Sequence, residues 1–311
     1  MSNILVTGAS GFVGTALCAE LERRSITCTA AVRKASNPAQ LAVGELSATT
    51  DWSQALAGCD AVIHLAARVH VMNDTSDDPL TAFRAVNVAA SVHLARQAAQ
   101  HGVKRFVFVS SVKVNGEATG TRPFTAFDAG APQDPYGQSK LEAELALKEV
   151  ALATGLELVI VRPPLVYGPG VRANFMRLMQ LAKIGLPLPL GAIHNQRSMV
   201  ALDNLVDLLI LCCRHPAAPG QTFMVSDDHD VSIGELLRML ASGMGKRTWL
   251  MPVPAGLIQR CAALLGKKAV ADRLLGSLQV DIAHTKATLG WKPVPDIQES
   301  INKTVAHFLK Q

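Results

Sequence analysis

Apolar positions in the first half of the chain come in short continuous runs. They are set apart by longer stretches in which apolar residues recur every three to four positions. The runs at 4–7, 27–32, 61–66, 105–110 and 157–162 read as strands. The stretches at 12–24, 52–57, 80–101 and 135–154 read as amphipathic helices. Strands such as Ala-Val-Ile-His-Leu-Ala-Ala and Phe-Val-Phe-Val-Ser show no polar alternation. Such strands are buried on both faces, as in a parallel sheet covered by helices. Strand–helix alternation with right-handed crossovers predicts a doubly wound α/β fold.

After Arg162 the rhythm breaks at Pro163, Pro164, Gly168, Pro169 and Gly170. A helix near 174–184, a Pro-rich strand at 186–190, and a strand and helix at 198–201 and 203–214 follow. This divides the chain into a nucleotide-type α/β domain over 1–165, with a return near 197–225, and a smaller, partly interleaved substrate domain over 166–311. The stretch 254–275 is amphipathic and basic, with Arg260, Lys267, Lys268 and Arg273. Membrane-surface contact is one reading, and packing on its own domain is the commoner one.

Composition fits a globular enzyme-sized chain. Of 311 residues 49% are hydrophobic and 18% charged, which excludes a disordered chain. The formal charge of +5 is interspersed, with no Lys/Arg block, so no nucleic-acid partner is expected. The cysteines at 18, 28, 59, 212, 213 and 261 form no C-x-x-C pair and several lie in apolar runs. Buried free thiols in a reducing cytoplasm are expected, with no metal site. The chain opens straight into a strand, so no signal peptide is expected. No apolar stretch reaches the ~20 residues of a membrane span.

Chemistry enters at Thr7-Gly-Ala-Ser-Gly-Phe-Val-Gly14, a glycine turn between the first strand and the first helix. Gly8 permits the tight turn, Gly11 leaves room for a diphosphate, and Gly14 lets the helix lie close on the strand. The helix N-terminus then offers free N–H groups to phosphate. The second strand ends in Val32-Arg33-Lys34, without the acidic residue that takes the ribose 2′-hydroxyl of NAD. This favours NADP, with NAD as the alternative; two ordinary exposed charges would be the plainer reading. Tyr136-Gly-Gln-Ser-Lys140 places a phenol and an ammonium on one helix face, where the ammonium is expected to lower the phenol pKa. Ser110-Ser111 stands at the end of a predicted parallel strand, where ligands of open α/β sheets bind.

Together with His64-Leu-Ala-Ala67, Arg162-Pro-Pro-Leu-Val-Tyr-Gly-Pro169, Arg197-Ser-Met-Val-Ala-Leu-Asp-Asn204 and Leu289-Gly-Trp-Lys-Pro293, these motifs run through nearly the whole chain. In this order they resemble the extended short-chain dehydrogenase/reductases, NAD(P)-dependent enzymes of the nucleotide-sugar epimerase/dehydratase branch with a Rossmann fold. The resemblance implies that Ser111 bonds the reacting sugar oxygen, Tyr136 is the acid/base, and Lys140 holds the nicotinamide ribose. It implies cofactor contacts from Gly8, Ser10, Gly11, Phe12, Val13, Gly14, Arg33, Leu65, Ala66, Ala67, Ser110, Tyr136, Lys140 and Pro163. Asn87, Lys113, Asn174 and Arg197 would meet a UDP-sugar; Asn174 as a mere helix cap and Arg197 as a surface ion-pair partner are the plainer alternatives. A homodimer built from the helices at 80–101 and 135–154 is also implied, against burial of their apolar faces in the chain's own core.

Departures from the branch narrow the reaction. Dehydratases carry Asp-Glu after the strand-end Ser/Thr; here Val112 and Lys113 stand there, which argues against dehydration. Asn115 replaces the branch's usual Tyr before the following Gly, and Arg33 departs from UDP-galactose epimerases. The expectation is therefore an NADPH-dependent 4-reductase of a UDP-4-keto-6-deoxy-N-acetylhexosamine, of the bacterial O-antigen (UDP-N-acetylquinovosamine/fucosamine) type. The alternative is an NAD-dependent C4 epimerase of a UDP- or polyprenyl-diphospho-N-acetylhexosamine. A non-catalytic redox sensor is disfavoured by retention of both Tyr136 and Lys140.

Overall fold

The computed structural model describes residues 3–69 and 78–310. Its strands are β1 (Asn3–Thr7), β2 (Thr27–Val32), β3 (Gln40–Ala42), β4 (Ala61–His64), β5 (Arg105–Val109), β6 (Glu157–Arg162), β7 (Leu165–Tyr167), β8 (Met199–Ala201) and β9 (Thr222–Met224). Seven of them form one sheet in the order β3-β2-β1-β4-β5-β6-β9, with every pair parallel. β7 and β8 form a separate parallel pair. The helices are α1 (Phe12–Arg23), α2 (Ser53–Leu56), α3 (Pro79–Arg84), α4 (Ala90–Gln100), α5 (Pro135–Thr154), α6 (Ala173–Ile184), α7 (Leu202–Cys212), α8 (Ile233–Gly243), α9 (Ala255–Leu264), α10 (Lys268–Leu275), α11 (Ala283–Leu289) and α12 (Ile297–Phe308).

The continuous apolar strands are explained by two buried sheet faces. Ile4, Val6, Ile63, Val107, Val159 and Val161 join one core with Leu17 and Leu21 of α1 and Leu205 and Leu208 of α7. Their neighbours in sequence, Leu5, Val62, Phe106, Phe108, Leu158 and Ile160, join the opposite core with Leu94 of α4 and Ala143 and Leu147 of α5. The two-residue period thus sends successive apolar side chains to opposite faces, and both are covered. A third core, around Phe175, Met179, Leu237 and Ile301, unites α6, α8 and α12.

Several expectations change. The stretch 186–190 is not a strand; it keeps only an isolated bridge between Leu188 and Leu250. Its prolines at 187 and 189 lack the N–H groups a ladder needs. The expected helix at 52–57 shortens to the single turn of α2. The run 80–101 is interrupted by a π-helical turn at Ala85–Ala89, which separates α3 from α4. β3 and β7, short and flanked by Pro and Gly, escape the sequence reading. β9 returns the chain to the main sheet beside β6. Among the described residues no helix is long and apolar enough to cross a membrane.

The strand order reverses direction about β1 and β4. The loops after β1, β4, β5 and β6 all leave from the C-terminal edge, because those strands pair in register from Thr7 to His64, from His64 to Phe108 and from Val109 to Val161. Residues far apart in sequence therefore meet at the switch point, where an open α/β sheet leaves a crevice.

Candidate active site

The glycine loop is held by close backbone approach. Gly8 has φ +68°, and a Cβ there would lie 2.9 Å from the Ala66 nitrogen, in the loop after β4. At Gly14 a Cβ would fall 2.2 Å from the Gly8 carbonyl oxygen, so α1 can begin here only on glycine. The Gly11 N–H donates to the Gly8 carbonyl at 2.9 Å, closing the turn. Gly11 is the N-cap of α1 and offers no side-chain cap, which leaves the first-turn N–H groups of Phe12, Val13 and Gly14 for a ligand. Ser10 and Gly11 are exposed at the turn. Beside it lie Leu65, Ala66 and Ala67 after β4, Ser110 after β5, and Pro163 after β6. Ser110 Oγ is buried and has no hydrogen-bond partner among the described residues. An uncapped helix start, a cradle any Cβ would fill and an orphaned hydroxyl together fit a dinucleotide. Arg33, just past β2, is exposed, with its guanidinium 3.6 Å from the Glu45 carboxylate.

Ser111 comes from the loop after β5, and Tyr136 and Lys140 from α5. Ser111 caps the single turn Val112–Val114, its Oγ accepting from the Lys113 N–H at 3.2 Å. Asp134 caps α5 through Gly137 N–H at 2.6 Å, and Pro135 supplies the first helical position. That start sets Tyr136 and, one turn on, Lys140. Lys140 is buried; its Nζ donates to the Val109 carbonyl at 2.8 Å and lies 4.4 Å from the centre of the Phe108 ring. Burial pushes the Lys140 pKa down to about 7, against the opposing pull of Glu144. Tyr136 meets Phe83 edge-on at 6.0 Å, and burial, helped by Asp134, pushes its pKa up to about 12. The lowering expected from the neighbouring ammonium is therefore not found: desolvation governs both groups and weakens the hold of Lys140 on its proton. Lys113 carries no free ammonium; its Nζ bonds Glu117 at 2.7 Å and also Asp134.

Asn87 sits in the π-helical turn and is buried. Its Nδ2 donates to Ser139 Oγ at 2.9 Å and to the Arg68 carbonyl at 3.1 Å, while its Oδ1 accepts from the Arg68 N–H at 2.8 Å. Ser139 Oγ in turn donates to the Tyr136 carbonyl at 2.8 Å. On its other side Asn87 offers its backbone carbonyl to the Ser91 hydroxyl at 2.7 Å. Having given its one proton, Ser91 must accept from His64 Nε2, 2.9 Å away. His64 Nδ1 is then the acceptor for the Thr7 hydroxyl at 2.7 Å, and Thr7 Oγ1 accepts from the Ala66 N–H at 3.2 Å. Proton counting thus fixes the tautomer of His64. Burial, followed by the nearby Lys140 charge, holds its pKa down at about 3. One buried chain of hydrogen bonds joins the glycine loop to the backbone of Tyr136. Sequence reasoning missed it: His64 and Ser139 were read only as parts of motifs, and Ser91 gives no signal of its own in α4.

The remaining expected contacts lie farther out. Asn174 is exposed in the first turn of α6, next to Ala173 with its φ of +55°. The Arg197 guanidinium donates to the carbonyls of Arg273 at 2.7 Å and Gly276 at 3.1 Å, tying down the end of α10 rather than forming a surface ion pair. Burial pushes its pKa down, opposed by Glu117.

Comparison with known proteins agrees with this geometry. The sequence model of the "NAD dependent epimerase/dehydratase family" matches residues 4–226. The chain is 49% identical to a UDP-glucose 4-epimerase of Vibrio cholerae over 99% of this chain and 96% of that one. It is 30% identical to the N-acetyl-α-D-glucosaminyl-diphospho-ditrans,octacis-undecaprenol 4-epimerase of Escherichia coli O157:H7, over 89% and 84% of the two chains. Its fold is like that of a solved UDP-glucuronic acid 4-epimerase from Bacillus cereus in complex with NAD, with TM-score 0.79, 20% identity and 99% of both chains covered.

The expectation of a 4-keto reductase is overturned by the 49% identical 4-epimerase. The residues explain the error. Val112 and Lys113 speak against dehydration, but the roles expected of Ser111, Tyr136 and Lys140 are the same in a reductase and in an epimerase, so those residues do not tell the two apart.

Proposed function

The chain belongs to the NAD dependent epimerase/dehydratase family, and from that premise we propose that it inverts C4 of a UDP-hexose, drawing no net reducing power. The observation that carries the reading is the 49% identity to a UDP-glucose 4-epimerase along essentially the whole of both chains. The cofactor we assign is NAD, which the Gly8–Gly14 loop, the 65–67 loop and Ser110 would hold and which would supply a reversible hydride acceptor for C4. The 2′-phosphate preference suggested by Arg33 is set aside because Glu45 lies beside that guanidinium.

In this scheme Tyr136, ionised once the site is filled, takes the proton from the C4 hydroxyl and later gives it back, while Ser111 bonds the same oxygen. Lys140, in reach of Val109 and Phe108, orients the ribose side of the site. Loss of the C4 hydrogen flattens that carbon. The sugar must then turn within the site to receive hydride on its other face, which demands a roomy substrate lobe with its grip on the diphosphate rather than on the hexose. Arg197 and Asn174, both away from Tyr136 in the smaller lobe, are the groups we assign to that diphosphate. Leu145 and Leu152, seven apart and exposed on α5, support a homodimer face on that helix. Six cysteines free of disulfides support a cytoplasmic site of action.

The test is direct. Purified protein incubated with UDP-glucose and no added reductant should yield the C4 epimer by proton NMR, with no net change in nicotinamide absorbance. Stoichiometric consumption of NADH or NADPH during turnover would overturn the reading.

A further inference from the structure

Helices α9 and α10 form a hairpin joined by Leu265, Gly266 and Lys267. α9 touches the third core through Ala255 and Ile258, yet none of its residues is fully buried. Its outer stripe is the reverse of a solvated one. Leu257, Cys261 and Leu264 fall at i, i+4 and i+7 and all are exposed; Leu264 is 89% exposed and Leu265 73%. Trp249, in the segment leading to α9, is 70% exposed.

Charge accompanies the apolar stripe. From Lys246 to Gly276 the chain carries six Lys and Arg against a single carboxylate, Asp272, an excess as large as the net +5 of the whole chain. That carboxylate is already engaged by Lys268 at 2.9 Å and by Gln259 at 3.2 Å. Lys268 lies beside Asp272 and Arg273 lies 3.8 Å from Glu117, which leaves Lys246, Arg247, Arg260 and Lys267 in excess. Exposed leucines and an indole set among such an excess of cations suit one kind of surface: acyl chains beneath anionic phosphates. A second copy docked on the same patch would bring the two cationic clusters face to face, which disfavours self-association here.

We propose that the α9–α10 hairpin docks this protein on an anionic phospholipid bilayer. The docked edge borders the candidate substrate lobe, because Arg197 holds the carbonyls of Arg273 and Gly276 at the end of α10.

The full-length protein should sediment with vesicles of phosphatidylglycerol and phosphatidylethanolamine, not with vesicles of phosphatidylcholine alone, and high salt should weaken the binding. Leu264→Asp with Leu265→Asp, and separately Lys267→Glu with Lys268→Glu, should each weaken vesicle affinity at least about tenfold. All four side chains face solvent, so the fold, checked by circular dichroism, and turnover of a soluble UDP-sugar should be unchanged. The proposal fails if the wild-type protein stays in the supernatant with anionic vesicles, or if both variants bind as the wild type does. It also fails if the leucine variant merely dissociates a larger assembly that ignores vesicles. Sedimentation needs no turnover, so its outcome is independent of the epimerase assay.

Discussion

At the scale of single residues the site rests on desolvation. Tyr136 and Lys140 are one turn apart, yet each is pushed towards its neutral form by burial. A phenol held protonated in the resting site becomes a base only when a bound partner supplies the positive charge that stabilises its phenolate, which ties proton transfer to a filled site. Removing the phenol should therefore stop chemistry without emptying the site. Tyr136→Phe is expected to lower kcat by about 10²–10⁴-fold and to leave bound NAD in place, as read by nicotinamide fluorescence of the purified variant. A variant that turns over UDP-glucose at near wild-type rate would remove Tyr136 from the acid/base role. Lys113 shows the same logic in reverse. Where a dehydratase-type carboxylate is lacking, an ammonium stands neutralised by Glu117 and Asp134, and Asp134 also starts the helix that carries Tyr136. The argument against dehydration was thus readable from Val112 and Lys113, but the clamp on Lys113 was not.

Among elements, legibility followed locality. The turn from β1 into α1 was readable because its tightest requirement is local: Gly8 takes φ +68°, and a Cβ at Gly14 would lie 2.2 Å from the Gly8 carbonyl oxygen. The central strands were readable because burial on both faces leaves an unbroken apolar run. The π-helical turn at Ala85–Ala89 was not, since its sequence, Ala-Val-Asn-Val-Ala, is ordinary for a helix. It is stabilised by Asn87 reaching Ser139 and Arg68, partners that only the tertiary fold supplies. β3 and β7 were missed for the same reason, as three-residue strands paired to distant neighbours. The glycine turn also gives a sharp test. In Gly14→Ala the new methyl meets the Gly8 carbonyl oxygen and the Ala9 backbone, at 2.2 Å and 2.7 Å, with no flexible side chain to yield. Overpacking against backbone should cost about 3 kcal/mol, seen as an early denaturation midpoint, and the protein should purify without NAD. Retained NAD at unchanged stability would mean that α1 can shift away from β1.

Across the whole molecule, buried titratable groups make stability depend on pH, and the sign can be worked out. Folding holds the Lys140 pKa at about 7, against an ordinary 10.5. Between those values the unfolded chain binds a proton that the folded chain refuses, so stability rises with pH across this window and falls as pH drops towards 7. His64, held at about 3 against 6.5, repeats the pattern lower down. Its stabilisation is present above pH 6.5 and is lost as the pH falls towards 3, when a second ring proton would oppose the Thr7 hydroxyl donated to Nδ1. The two groups face each other across Phe108, whose ring stacks on His64 at 5.9 Å and carries the Lys140 ammonium at 4.4 Å, so protonating either one disfavours protonation of the other. Urea denaturation at pH 7 and pH 8.5 should show the wild type gaining stability with pH. In Lys140→Met, where the stem is kept and the titrating group removed, that gain should be smaller. The comparison between the two proteins cancels the cysteines and surface groups common to both. Equal pH slopes in wild type and variant would mean that Lys140 keeps its proton in the fold, and the site would then carry a permanent cation beside Phe108.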